Sequence, residues 1–154
     1  MWIYHGLRYG YEAERPSTET FETVSTEETI TQEFIAREYY LKGIEFVFIN
    51  LAEDGNGELD FRVLDSDGRI KANSEIAISS VTAGEWEFIP LRVRLKAGES
   101  YILEISAKDC SIPPYVLARE KKTVGENTVL TASGAETSLE LLNAYGFAVS
   151  ASRI

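Results

Sequence analysis

The residues that most resemble a chemical site stand together in "AEDGNGELDFRVLDSDGR", residues 52–69, where acidic and amide oxygens alternate with glycines. This is the material of a calcium loop, which takes oxygen ligands at positions 1, 3, 5 and 12 and needs Gly at position 6 between two helices. Counted from Asp54, Asn56 and Glu58 fall on ligand positions, but Leu59 stands where Gly is required and Asp65 where a bidentate Glu belongs. Counted from Asp65, Arg69 falls on a ligand position and Ile70 on the Gly position. Both registers fail, and the flanks alternate with a period of two, which is a strand signal. The stretch is expected to hold two turns bracketing one strand, Leu59 to Leu64, with no metal. A calcium site assembled from distant loops stays open at this stage.

Other chemistry is sparse. His5 is the one histidine, so two-imidazole zinc sites are excluded. A Ser-His or Cys-His pair would have to use His5, in an N-terminal segment with nothing to hold a base rigid. Cys110, in "AKDCSIPP", has no second cysteine and no basic pair beside it, and reads as a small buried hydrophobe. Glu85 and Glu87 flank Trp86 in "GEWEF". A glycosidase needs two carboxylates at a fixed separation, one with its pKa raised by burial, whereas acids at a strand entry are ordinarily solvated. No catalytic residue and no cofactor is expected, so the chain reads as a non-enzyme. A small carbohydrate-active hydrolase using acidic residues is the alternative from another class. The candidate ligand-binding residues are aromatic: Trp86, Tyr39, Tyr40 and Tyr115, at strand edges or loops, where flat amphipathic rings stack on sugars. The competing reading is that they cap the ends of the core, since strands are rich in aromatics.

The elements that position these residues follow from composition and period. The 154 residues suffice for one domain with a substantial core, and the apolar fraction of 44% is that of an ordinary globular chain. The formal charge of −10 sets up an average field that repels nucleic acid and anionic membranes, and "REKK" (119–122) is too short to offset it. A single cysteine suits either a reducing cytosol or an exported domain that needs no disulfide. No apolar stretch has the length of a membrane span, and "MWIYHGL" does not read as a signal peptide.

Residues 1–28 are expected as a polar N-terminal lead-in, with a short edge strand around Phe21 to Val24, and residues 29–154 as the folded domain. From residue 30 the strand period is regular. Ile30, Gln32, Phe34 and Ala36 share one face, as do Leu59, Phe61 and Val63 opposite Asp60 and Arg62. Ile89, Leu91, Val93 and Leu95 alternate with outward Arg92 and Arg94, and Tyr101, Leu103 and Ile105 form another inward row. "GIEFVFIN" (43–50) is nearly continuously apolar, as a strand covered on both faces would be. "KAGES" (96–100) has the form of a hairpin loop, and Pro90 marks its strand as an edge or a bulge. "SEIAISSV" and "LARE" with "KKTV" are the only segments with a trace of helical period. The fold class is all-β: a two-sheet antiparallel jelly-roll sandwich with little or no helix.

Three segments carry a family resemblance: "TQEFIAREYYLKGIEFVFIN", "NGELDFRVLDSDGRIKA" and "LKAGESYILEISA". Through Gln32, Phe34, Leu41, Gly43, Ile44, Leu59, Asp65, Gly68, Leu95, Gly98, Tyr101, Leu103 and Ile105, residues 30–120 resemble the jelly-roll β-sandwich domains of bacterial polytopic cell-envelope proteins of glycosyltransferase or polysaccharide-assembly type. The resemblance implies a galactose-binding-like sandwich outside the membrane, tethered by flanking segments, and transfers no catalytic residue. The expected function is a non-catalytic extracytoplasmic module of a larger membrane protein that binds glycan or another envelope component. A free-standing cytoplasmic binding protein of the same fold is the alternative. Oligomeric state is not legible in the sequence.

Overall fold

The period-two rows resolve into two antiparallel sheets in a computed structural model that describes residues 4–10, 20–122 and 125–150. In chain order the strands are β1 (Tyr4–Gly10), β2 (Glu22–Ser25), β3 (Ile30–Ile35), β4 (Tyr40–Ile49), β5 (Glu58–Leu64), β6 (Ile70–Ala77) and β7 (Trp86–Arg94). They continue with β8 (Ser100–Lys108), β9 (Tyr115–Glu120), β10 (Asn127–Ala132), β11 (Ala135–Thr137), β12 (Leu139–Leu141) and β13 (Asn143–Ser150). One sheet has six strands in the order β11-β10-β3-β8-β5-β6. The other has seven: β1-β13-β4-β9-β12, with β7 on the free side of β4 and β2 on the free side of β9. The two sheets pack face to face, so the chain is the all-β sandwich that its alternation predicts. Of the segments with helical traces, "SEIAISSV" yields a single 3₁₀ turn, Ile78–Ser80, and "LARE" belongs to β9.

Two expectations change. Within residues 1–28 the described residues supply β2, the short edge strand expected around Phe21 to Val24, and also β1, which the lead-in reading lacked; they are hydrogen-bonded into the seven-stranded sheet against β9 and β13. Their polar composition reflects edge strands with one wet face: Leu7 and Tyr9 pack against the core while Gly6, Arg8 and Gly10 are exposed. Residues 11–19 of the lead-in lie outside the described residues. "KAGES" is not a hairpin, because β7 pairs with β4 and β8 pairs with β3 and β5, in the other sheet. It is an arch between layers, held to the parallel arch after β3 by Leu95 N–H to Tyr39 O at 2.8 Å and Gly98 N–H to Ala36 O at 2.8 Å. A glycine turn between two alternating strands looks the same locally in a hairpin and an arch; only distant pairing separates them.

The core is built from aromatic rings that meet across the sheets. Phe46 of β4 stacks on Phe61 of β5 at 5.5 Å between centroids, with the Phe48 ring edge-on to Phe61 at 6.0 Å. Toward the other end Tyr145 of β13 stacks on Phe34 of β3 at 4.6 Å. All five rings are essentially fully buried, each such burial contributing roughly 1.5–3 kcal/mol.

Polar groups clamp the same interface. Gln32 of β3 is completely buried; its Oε1 accepts from Leu141 N–H of the opposite sheet at 3.0 Å, and its Nε2 donates to Glu33 O and Val129 O. Asn127 of β10 donates through Nδ2 to Glu140 Oε1 at 3.0 Å and Asn143 Oδ1 at 2.9 Å, and accepts a short hydrogen bond from the Tyr145 hydroxyl. Glu140 is further held by Lys122 N–H at 2.8 Å, with Arg119 Nε 3.7 Å away. Burial pushes the Tyr145 phenol far above its ordinary range, so it remains a donor. Tyr145→Phe is expected to cost about 1 kcal/mol in urea unfolding, and Asn127→Ala about 3 kcal/mol, because the latter strands three buried partners at once. Equal, small losses would show that the clamp does not hold the layers.

Candidate functional site

The outer face of the seven-stranded sheet collects the side chains suited to binding. It is set up by a register change in β4. Pairing with β13 shifts between Gly146↔Gly43 and Phe147↔Leu41, so β4 carries one extra residue there. Leu41, Ile44, Phe46 and Phe48 therefore all point inward, while Lys42, Gly43, Glu45 and Val47 point out. Pro90 of β7 lies opposite Gly43 at this irregularity, on a strand whose only partner is β4. Edge and bulge together explain how a strand accommodates a residue with no N–H.

Glycines make the floor of this face flat. Gly43 of β4 and Gly146 of β13 are cross-strand partners, and the Phe88 ring from β7 lies over both. A Cβ on Gly43 would stand 2.5 Å from Phe88 Cζ and closer still to the Ile89 carbonyl oxygen; one on Gly146 would stand 3.4 Å from Phe88 Cε1. Phe88 remains 48% exposed, so its upper surface is open. From β1, Arg8 crosses toward β4 and β7: its Nε is 2.6 Å from Glu45 Oε2, and its guanidinium lies 5.5 Å from the centre of the Trp86 ring. Val47, the cross-strand neighbour of Trp86, is only 4% exposed although it points outward. Trp86 and Phe88 thus form an aromatic row two residues apart on an edge strand, with an ion pair braced against it.

Of the aromatics expected from the sequence, the structure brings Trp86 and Tyr115 to one end of the outer face, beside Val47 and Ile49 on opposite sides of β4. Tyr40 sits at the other end of β4 opposite Arg94, and Tyr39 in the preceding arch is 69% exposed. Eight or so residues of extended chain, roughly 25 Å, separate the two groups, so the four do not form one pocket. Phe88, Arg8, Glu45 and Lys42 were not among the expected residues. Their signal was present for β7 alone: continuing the outward Arg94, Arg92, Pro90 row back by twos reaches Phe88 and Trp86.

The remaining candidates take structural roles. Asp54 Oδ1 accepts from Asn56 N–H at 2.9 Å, and Asp65 Oδ1 accepts from Asp67 and Arg69 N–H at 2.9 Å each, so both acids close turns. Those backbone donors, Asn56 for Asp54 and Arg69 for Asp65, hold both carboxyls below the usual range. No group of three or more metal-ligating side chains occurs among the described residues. Glu87 accepts from Thr82 N–H at 2.8 Å, bracing the turn before β7. Cys110 is partly buried beside Gly57, and burial raises its thiol pKa. His5 lies in β1 opposite Val149, but its side chain is outside the described part. The described outward residues of β4 and β7 supply ring surface and charge.

No family model matches the chain, and no curated protein matches it at a significant level. No helix among the described residues is long and apolar enough to cross a membrane. Several residues singled out in the sequence have identifiable work in the fold. Gln32 clamps the sheets, Gly43 admits the Phe88 ring, Gly68 and Gly98 adopt positive φ in turns, and Tyr101 receives Lys96 N–H at 2.8 Å.

Two outcomes test this geometry. Gly43→Ala is expected to destabilise the protein by about 1–3 kcal/mol in chemical denaturation. Adding Phe88→Ala should fail to restore it, because the Ile89 carbonyl blocks the same space; a full rescue would place the constraint in the ring alone. For Asp65 the sign follows from a depressed carboxyl: its turn stabilises the fold above the unfolded pKa, near 4, and that contribution is lost as pH falls through the lower folded value. The stability gap between wild type and Asp65→Ala should therefore be wide at pH 7 and close in strong acid, while calcium leaves both melting temperatures unchanged.

Proposed function

We propose that this chain is a non-catalytic, galactose-binding-like jelly-roll module that binds glycan on the outer face of its seven-stranded sheet. The observation that carries the reading is the Trp86–Phe88 row: two rings on one edge strand, laid over glycines, with Phe88 half exposed. Sugars present flat C–H faces and a rim of hydroxyls. Ring surface takes the former, and the Arg8–Glu45 pair offers donors and acceptors to the latter. A sheet face held by backbone pairing is a rigid platform, so little ordering cost falls on binding.

The resemblance of residues 30–120 to envelope sandwich domains supports an extracytoplasmic setting as part of a larger membrane protein. That setting brings the module into contact with polysaccharide. Apolar spans in flanking coding sequence are the expected sign of it.

Titration with a panel of oligosaccharides, followed by calorimetry, tests the reading. Binding in the micromolar to millimolar range is expected, weakened about tenfold by Trp86→Ala, with an unchanged circular dichroism spectrum. If every sugar fails to bind at millimolar concentration, or if Trp86→Ala binds like wild type, this face is not a glycan site.

A further inference from the structure

Charge is not spread evenly over this sandwich. On the outer face of the six-stranded sheet the register aligns Glu33, Glu58, Asp60, Glu75 and Glu104, partly offset by Arg62 and Lys108. The outer face of the seven-stranded sheet is the reverse. Along β1, β13, β4 and β7 its described outward positions carry Arg8, Lys42, Arg92 and Arg94 against one acid, Glu45, which Arg8 already pairs. In a chain of formal charge −10, the described outward positions of these four strands thus carry three net positive charges. The average field read from composition does not describe this surface, because the sheets stand about 10 Å apart and the Debye length at physiological salt is about 8 Å.

Three of these cations form a band across the face, two on β7 and one carried from β4 toward β1. Arg92 and Arg94 project from the same side of β7, roughly 7 Å apart along the strand, and Lys42 rises from the same face on β4, the adjacent strand. All three are exposed, and none has a carboxylate partner among the described residues, although acids outnumber bases by 25 to 15. Lys42 reaches over β13 toward β1, its Nζ 3.9 Å from where a Cβ on Gly6 would stand. Edge strands often carry charge to discourage pairing with other chains. That accounts for Arg92 and Arg94 as charges of either sign. It does not account for Lys42 on an interior strand, or for the single acid among the described outward positions of these four strands. Tyr40, opposite Arg94, adds a ring at the β7 end of this band.

Resting on the glycan-binding reading, we propose that the ligand is an acidic polysaccharide, lying along β4 and β7 with sugar rings on Trp86 and Phe88 and its carboxylates at Lys42, Arg92 and Arg94. A thin single chain fits this geometry because it engages one face without approaching the acidic one. A nucleic acid duplex or a membrane surface extends its field over the whole molecule, including the acidic face, where it is repelled.

The test is calorimetric titration of the whole chain with a polyuronate oligosaccharide, a neutral glucan of equal length, a DNA duplex, and phosphatidylserine vesicles. The polyuronate is expected to bind about tenfold tighter than the glucan, to weaken with added salt, and to lose most of that preference in Arg92→Ser/Arg94→Ser. Arg92→Lys/Arg94→Lys, which keeps the charge, should retain it. Equal affinity for polyuronate and glucan, or a preference indifferent to the double Ser variant, overturns this inference while leaving the glycan platform standing. Binding of no sugar overturns both. DNA or vesicles bound as tightly as polyuronate would overturn the assigned ligand, and circular dichroism checks that the variants fold.

Discussion

Two buried side-chain amides decide how the layers of this protein meet. Gln32 and Asn127 belong to the six-stranded sheet, and both bond to groups of the seven-stranded one: Leu141 N–H for the former, Glu140, Asn143 and Tyr145 for the latter. Apolar packing alone tolerates sliding, since rings on opposed sheets stack acceptably over a range of offsets. An amide in a dry interface does not, because a shift strands its donor or acceptor at a cost of about 1–3 kcal/mol each. The clamp lies at the end where Tyr145 stacks on Phe34, so it also fixes β13. Through β13 it fixes β4 and β1, which pair with it on either side.

The proposed binding face depends on that chain of constraints. Gly146 on β13 and Gly43 on β4 must align for Phe88 to lie across them, and Arg8 on β1 must sit opposite Gly146 to reach Glu45. The bulge in β4 turns Lys42 outward between Leu41 and Ile44, which both face the core. Rings and cations then share one surface while most acids of the sheet interiors fall on the opposite one. Charge segregation here is a product of register: the same residues with one strand slipped by a position would mix the two faces.

Much of the fold was legible because alternation is local. The inward rows of β3, β5, β7 and β8 are those read from Ile30, Leu59, Ile89 and Tyr101, and the turn at Asp65 follows from Asx chemistry. Pairing was not legible. "KAGES" carries no mark that it spans two layers, and β1 hides its strand character behind Gly6, Gly10 and a single inward pair, Leu7 and Tyr9. Gln32 was read as one more inward residue, yet its importance lies in partners 97 and 109 residues away. The site was legible in part. Trp86 stood out as an aromatic near a strand entry, but Tyr39 and Tyr40 belong to the far end of β4. Phe88, Arg8, Glu45 and Lys42 become neighbours only through pairing that composition and period do not encode.

On the reading proposed above, ligand meets this protein on one face, along β4 and β7. Amide chemical-shift mapping during titration with a polyuronate oligosaccharide addresses it directly. Saturable shifts are expected at Lys42 to Val47, Trp86 to Arg94 and Gly146, with Glu58, Asp60, Glu75 and Glu104 on the opposite face unmoved. Shifts centred on the six-stranded sheet, or none at saturating ligand, would contradict it.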